Sequence, residues 1–166
     1  MLKNRFFALV LLSIFGASCD SNRIYDEYRS LPDKWNKDSV VSFNVEAPDT
    51  TNHYNLFINL RNNNDYKYNN LYLIVEMNYP QGKVVADTLL YRMAAADGSF
   101  LGDGFTDVKE NKLWYKGYEE PFVFDESGTY TVTIQQAMRE QGAVNGISDL
   151  EGVLDVGFRI EKPQPK

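Results

Sequence analysis

The sequence predicts an all-β domain, an antiparallel β-sandwich (immunoglobulin-like or jelly-roll-like) of about seven strands that follows a lipoprotein signal peptide. Three observations predict the sandwich. Apolar and polar residues alternate over many short segments, which is typical of strands with one face in a core and the other in water. Turn-forming residues separate these segments. After the first twenty residues, no stretch has a convincing helical period.

The first residues have the pattern of a lipoprotein signal peptide. Lys3 and Arg5 precede an apolar run at 6–15, which is shorter than the ~20 residues that a membrane-spanning helix needs. Small residues at 16–18 lead to Cys19, the only cysteine in the chain. This order resembles a lipobox, in which the cysteine is acylated, with palmitate among its acyl chains, and becomes the first residue after cleavage. An ordinary secretory signal with an incidental cysteine and an uncleaved anchor are the alternatives.

Residues 1–18 are therefore predicted to be the signal peptide, with lipidation at Cys19. Residues 19–39 are mostly polar and are predicted to form the acylated N-terminus and a tether. Trp35 is expected to dock on the domain. The β-sandwich domain is expected at 40–162, and a C-terminal tail at 163–166.

Alternation with period two is the dominant pattern from Val40 onward and defines the strands. Predicted strands lie at 41–47, 54–60, 71–79, 84–92, 120–124, 129–134 and 154–161, with turn signals at 62–65, 80–82, 97–98 and 127–128. The longest irregular stretch runs from about Ala94 to Lys116. Loops of this length are uncommon in compact domains and are often functional.

The composition excludes several classes of function. The formal charge of -6 argues against nucleic acid as a partner, because phosphate binding requires clustered Lys and Arg. A Ser-His-Asp or Cys-His site would have to use His53, the only histidine, but no G-x-S-x-G elbow precedes a helix and Cys19 is assigned to lipid, so His53 is interpreted as a surface or strand-edge residue. We expect no enzymatic activity, no cofactor, no metal and no small-molecule substrate. Asp97, Asp103, Asp107 and Glu110 are interpreted as turn residues, although calcium binding by this loop stays open.

Aromatic residues make up 14% of the chain, and several should exceed what the core can hold. The ones in question are Tyr66, Tyr68, Tyr72, Tyr91, Trp114, Tyr115 and Tyr118. Exposed aromatics mark contact surfaces for proteins or for sugar rings, whereas core packing and cross-strand pairing are the simpler alternative. The predicted interaction surface comprises Arg61, Tyr66, Tyr68, Trp114 and Tyr115, with the 61–70 loop as its best candidate.

Several segments together resemble one known family over nearly the whole chain. They are Gly16-Ala17-Ser18-Cys19, Trp35, Leu60-Arg61-Asn62-Asn63 with Tyr66, Tyr68, Asn70 and Leu71, Tyr79-Pro80-Gln81-Gly82 with Asp87-Thr88, Asp97-Gly98 with Leu101-Gly102-Asp103-Gly104, Gln136-Ala137-Met138-Arg139, and Gly157-Phe158-Arg159-Ile160-Glu161. Their order and spacing resemble the GldH family of gliding-motility lipoproteins from Bacteroidota. The resemblance implies a lipoprotein of the cell envelope that is associated with the gliding and type IX secretion apparatus and has no established catalytic residues.

The leading hypothesis is thus a non-enzymatic envelope lipoprotein, anchored in a bacterial membrane and facing the periplasm. It would support or stabilise the gliding and secretion machinery through contacts with envelope proteins. The alternative is a glycan-binding envelope lipoprotein that stacks exposed aromatics on sugar rings.

Overall fold

The computed structural model describes residues 21–32, 34–104 and 106–164. These residues form ten strands and contain no helix, so the predicted all-β class is confirmed. The strands are β1 (Arg23–Ser30), β2 (Lys34–Asn36), β3 (Val41–Glu46), β4 (Asn55–Asn62), β5 (Asn70–Asn78), β6 (Val84–Arg92), β7 (Lys109–Lys116), β8 (Thr129–Gln136), β9 (Asp149–Glu151) and β10 (Val153–Glu161). No helix that could cross a membrane occurs in this part of the chain.

The strands form two four-stranded sheets and one short ribbon. The first sheet has the order β1-β10-β4-β7, the second has the order β3-β8-β5-β6, and β2 pairs with β9. Every pair of neighbours is antiparallel. This architecture is the antiparallel sandwich that the alternation predicts.

The alternating apolar residues of both sheets meet in a single core. In β3 and β5, every second residue is buried and those between are at least partly exposed. Phe43 of the second sheet packs on Phe158 of the first, with ring centroids 6.1 Å apart. Burial of these side chains, at roughly 25 cal/mol per Å² of apolar surface, is the main force that holds the sheets together.

The segment predicted as a tether is part of the fold, so that prediction is wrong for most of its length. β1 pairs with β10 from Arg23 to Ser30, and β2 pairs with β9. The sequence of β1 hides this because an edge strand with one neighbour keeps most of its side chains at least partly exposed, and its alternation is weak. Trp35 is fully buried and its Nε1 donates to the Ser39 carbonyl at 2.9 Å, which confirms the expected docking.

Two further boundaries differ from the sequence prediction. The stretch at 94–116 ends in a regular strand, β7, which was missed because it alternates polar residues with only a few apolar ones. The strand expected at 120–124 is reduced to one bridge between Tyr54 and Phe122. Phe122 and Phe124 are nevertheless buried in the core, so the apolar pattern there reports burial rather than sheet pairing.

Candidate functional site

The aromatic residues of the predicted interaction surface do not form one surface. Tyr66 is only 2% exposed, and its hydroxyl donates to the Asn70 carbonyl at 2.6 Å. Its ring contacts Tyr68, which is half-buried, and Phe100. Because a local carbonyl satisfies its hydroxyl, the Tyr66 ring can join the core. The 61–70 loop is thus not the exposed aromatic surface that the sequence predicts.

Arg61 lies on the outer face of the first sheet, where its guanidinium contacts one aromatic ring and two carboxylates. It stacks over the Tyr28 ring at 4.2 Å, donates from Nε to Glu110 at 3.1 Å and lies 3.8 Å from Asp155. The Tyr28 hydroxyl also donates to Glu110, at 2.7 Å. The hydrogen bond with Glu110 raises the pKa of Arg61. Arg61 therefore organises its own sheet face rather than presenting a free charge.

The same outer face carries a second group of paired charges. Arg159 of β10 contacts Asp26 of β1 at 2.9 Å and also pairs with Glu161. Lys112 of β7 donates to Glu161 at 2.6 Å and covers the Phe57 ring at 4.2 Å. These ion pairs connect β1, β10 and β7, the Lys112–Phe57 contact adds β4, and together they leave little unpaired charge there for a partner.

Trp114 and Tyr115, by contrast, line a groove at the end of β7. The pairing of β7 with β4 shifts register between Leu56 and Phe57, so Tyr115 is an extra residue in a β-bulge. The groove has a volume of about 500 Å³. We call it the aromatic groove, and its lining residues are Tyr79, Trp114, Tyr115, Lys116, Gly117, Tyr118, Glu119, Glu120, Pro121 and Phe122.

An exposed pair of rings forms the outer wall of the aromatic groove. Trp114 is 40% exposed and Tyr118 is 74% exposed, and their ring centroids lie 5.3 Å apart at an interplanar angle of 54°. Phe57 supports Trp114 from the other side at 4.3 Å. Gly117 adopts φ +98, which lets the chain turn Tyr118 back toward Trp114. Within the described residues, neither the Trp114 indole N–H nor the Tyr118 hydroxyl has a hydrogen-bond partner.

The floor of the groove connects the two sheets. The Tyr115 hydroxyl and the Lys116 ammonium both donate to Oδ2 of Asp87 in β6, at 3.0 and 2.7 Å. Burial raises the pKa of Tyr115 well above its usual range, and the nearby Asp87 carboxylate adds to this. Tyr91 of β6 donates to the Trp114 carbonyl at 2.6 Å. The Lys116 charge is thus paired with Asp87 at this partly buried contact between the sheets.

The rim of the groove is acidic. The loop at 117–128 contains four carboxylates and no Lys or Arg. Asp125 lies 4.0 Å from Lys83, and Glu126 accepts a hydrogen bond from the Gln81 backbone. Glu119 and Glu120 are exposed and form no ion pair with any residue that the structure describes. The groove therefore combines apolar rings, two unused donors and two unpaired negative charges.

The acidic stretch at 97–110 does not converge on one point. Asp97 accepts from Ser99, Asp107 accepts from Asn64, and Glu110 faces Tyr28 and Arg61 as described above. In the three described ranges, no group of three or more His, Cys, Asp or Glu side chains is placed to hold a metal ion. His53 is exposed just before β4, and Cys19 lies outside the described residues.

Sequence reasoning identified Trp114 and Tyr115 but missed the other half of the groove. Tyr118, Glu119 and Glu120 follow the end of β7 in the run Trp-Tyr-Lys-Gly-Tyr-Glu-Glu-Pro. A Gly after an aromatic pair, followed by a third aromatic and two carboxylates, was the available signal. It was hidden because β7 itself was not recognised as a strand.

Comparison with known proteins gives consistent matches over most of the chain. The model of the GldH lipoprotein family matches residues 23–160. A protein of Christiangramia forsetii named "Gliding motility lipoprotein GldH homolog" is 57% identical over 156 residues, covering 94% of each chain. "Gliding motility lipoprotein GldH" of Flavobacterium johnsoniae is 51% identical over 154 residues, covering 93% of this chain and 94% of the relative.

Among solved structures, the VP2 subviral particle of infectious bursal disease virus aligns with a TM-score of 0.35 at 11% identity, covering 88% of this chain and 34% of that chain. The family model and the two relatives confirm the resemblance seen in the sequence. The chain belongs to the GldH family of gliding-motility lipoproteins.

Proposed function

We propose that this protein is a non-enzymatic envelope lipoprotein that stabilises the gliding and type IX secretion machinery by binding partner proteins at the aromatic groove. In this proposal residues 1–18 are removed as a signal peptide, Cys19 carries the acyl chains, and the domain faces the periplasm. Two or three acyl chains anchor a protein durably, whereas one chain binds only marginally.

The observation that carries the proposal is the exposed Trp114–Tyr118 pair. A folded domain has a strong tendency to bury such rings, and Tyr and Trp are enriched where proteins contact one another. Here Trp114 is supported by Phe57 and held at a strand end, so the pair is preorganised. A preorganised aromatic surface loses little side-chain entropy when a partner binds.

Glycan binding remains the alternative, and the geometry of the groove favours a protein partner over it. The rings of Trp114 and Tyr118 are tilted by 54° and do not form one flat platform for a sugar face. The unpaired carboxylates of Glu119 and Glu120 favour a ligand that brings positive charge, which a neutral glycan does not. A glycan array nevertheless belongs in the test.

The test is an affinity purification of the tagged protein from the membranes of its own bacterium after chemical crosslinking. We expect a defined set of envelope proteins with the native chain and their loss with Tyr118→Ala. Leu90→Ala is the matched control, because Leu90 is 57% exposed on the outer face of the second sheet, away from the groove. Recovery of the same proteins by both variants, or glycan binding without any protein, would exclude the groove as the partner site.

Cys19→Ala tests the anchor separately. We expect this variant to leave the membrane fraction and appear among the soluble proteins, because the acyl chains are its hold on the bilayer. Membrane fractionation followed by immunoblotting measures the effect. A Cys19→Ala variant that stays in the membrane at the native level would refute the acyl anchor and leave the groove proposal to the purification above.

A further inference from the structure

We infer that the aromatic groove binds an extended, proline-containing segment of a partner protein that carries Lys or Arg side chains. This inference rests on the proposed function, because it assumes that the ligand of the groove is a protein. It goes further in naming the conformation and the charge of the segment that binds. Four properties of the groove lead to it.

The first property is shape. The rings of Trp114 and Tyr118 contact each other at a tilt of 54° and form one wall of the groove, which Tyr79 and Phe122 also line. Aromatic-lined grooves of this kind accept the ridges of a polyproline II helix, which has three residues per turn and no internal hydrogen bonds. Proline rings also fit against aromatic faces with little loss of entropy, because the segment is already extended.

The second property is the pair of unused donors. The Trp114 indole N–H and the Tyr118 hydroxyl point to no acceptor among the described residues. The carbonyl oxygens of a polyproline II segment are all free, because this helix makes no backbone hydrogen bonds of its own. An extended peptide therefore supplies the acceptors that these two donors lack.

The third property is charge. Glu119 and Glu120 have no ion-pair partner in the described part of the chain, and Lys116, the Lys that lines the groove, is held by Asp87 at 2.7 Å. A Lys or Arg of the bound segment would meet both carboxylates at the rim. The same cation would also lie close to the faces of exposed aromatic rings, where cation–π attraction adds to the ion pair.

The fourth property is that the rim is acidic and repels anionic surfaces. Asp125 and Glu126 lie in the same loop as Glu119 and Glu120, and no Lys or Arg occurs between residues 117 and 128. An anionic lipid surface would meet this acidic loop unfavourably. The exposed aromatics therefore fit a cationic peptide better than a membrane surface, although both ligands would accept Trp and Tyr side chains.

The test uses the full chain in detergent and a fluorescein-labelled peptide of Pro-Pro-Lys repeats, about twelve residues long. Three residues per turn place every Lys along one edge of the polyproline II helix, where they can face Glu119 and Glu120. Fluorescence anisotropy measures binding at low and at physiological salt. We expect saturable binding with a dissociation constant below about 1 mM.

Five comparisons decide the result. Tyr118→Ala should weaken binding about tenfold, and the double variant Glu119→Gln/Glu120→Gln should weaken it about three- to tenfold and reduce the salt dependence. The control Glu76→Gln/Glu140→Gln removes two exposed carboxylates elsewhere and should change nothing. Pro-Pro-Glu repeats should not bind, and Gly-Ser-Lys repeats, with the same charge but no fixed conformation, should bind several-fold more weakly.

The inference would be overturned if Glu119→Gln/Glu120→Gln bound the peptide as well as the control Glu76→Gln/Glu140→Gln does. Equal binding of the Pro-Pro-Lys and Pro-Pro-Glu repeats would also overturn it. Binding to vesicles of anionic lipid or to glycans that Tyr118→Ala abolishes, with no peptide binding, would also overturn it. If the purification from membranes still loses its proteins with Tyr118→Ala while no peptide binds, the proposed function stands and the ligand class alone is wrong.

Discussion

Gly157 tests whether β1 really belongs to the domain. It lies in β10 opposite Tyr28 of β1. A Cβ atom on Gly157 would lie 2.9 Å from Cδ1 of Tyr28 and 3.0 Å from the Glu27 carbonyl oxygen. Carbon atoms in ordinary contact are about 3.5–4.0 Å apart. Gly157→Ala therefore requires the ring, and also the backbone of β1, to move.

The magnitude follows from these contacts. Overpacking of this kind costs about 1–3 kcal/mol, and replacing Gly by Ala in a strand regains about 0.5–1 kcal/mol of backbone entropy. The net loss for Gly157→Ala should be about 1–2 kcal/mol. For a domain of this size that loss corresponds to a fall in Tm of roughly 3–8 °C. Thermal unfolding followed by circular dichroism measures it.

Two controls make the prediction specific. Gly146→Ala places a Cβ no closer than 3.4 Å to another atom, the Met138 carbonyl oxygen, so its stability should stay within about 0.5 kcal/mol. In a Tyr28→Ala background, Gly157→Ala should cost less than half as much, because the ring is gone. If residues 23–30 were instead a free tether, Gly157→Ala would be neutral or stabilising, and that result would refute the placement of β1.

Three further substitutions test other parts of the structure. Leu73→Asp places a charge at a fully buried position and should cost about 5 kcal/mol or more, so a cooperative native unfolding transition would contradict the assigned strand faces. Asp87→Ala leaves the Lys116 ammonium unpaired between the sheets and should lower the urea-unfolding free energy by about 1–3 kcal/mol, whereas Asp87→Asn should recover part of that loss. Hydrogen bonds to the Asp49 carboxylate lower its pKa well below its usual range. The largest effect comes from the Tyr54 hydroxyl, and Asn52 and Thr51 add to it. The stabilising contribution of Asp49 is therefore complete above about pH 4 and is lost as the pH falls further. Asp49→Asn should be less stable than the native chain at pH 7, and urea unfolding at pH 3 should find a smaller difference; an equal difference at both pH values would contradict the assigned interaction.

The fold could be predicted where periodicity follows burial. β5 and β6 have the predicted bounds to within a residue, because more buried and more exposed residues alternate regularly along both strands, although β6 is an edge strand. β1 and β7 were missed for the opposite reason. Both are edge strands of the first sheet, and their outer faces carry paired charges and aromatics instead of a simple polar pattern.

The candidate site was only half predictable from sequence. Exposure of Trp114 agrees with the expectation that some aromatics lie outside the core, but nothing in the sequence distinguishes it from Tyr66, which is buried. The two rings differ in exposure because they have different partners. The Tyr66 hydroxyl donates to the Asn70 carbonyl, while Trp114 packs on Phe57 of a neighbouring strand. The second contact depends on the pairing of β4 with β7, which the sequence does not reveal.

The inclusion of β1 in the sheet sets how far the domain can stand from the membrane. If Cys19 is the acylated residue, only residues 20–22 separate it from Arg23, and the chain between Cys19 and Arg23 reaches at most about 14 Å. Arg23 pairs with Glu161, Glu161 pairs with Asn55, and the adjacent Leu56 pairs with Lys116. With Cys19 in the bilayer, the aromatic groove would open at the end of the domain nearest the membrane. Partners able to reach it would then be those whose binding segments run close to the membrane surface, and a soluble periplasmic protein would have to enter this narrow layer to compete.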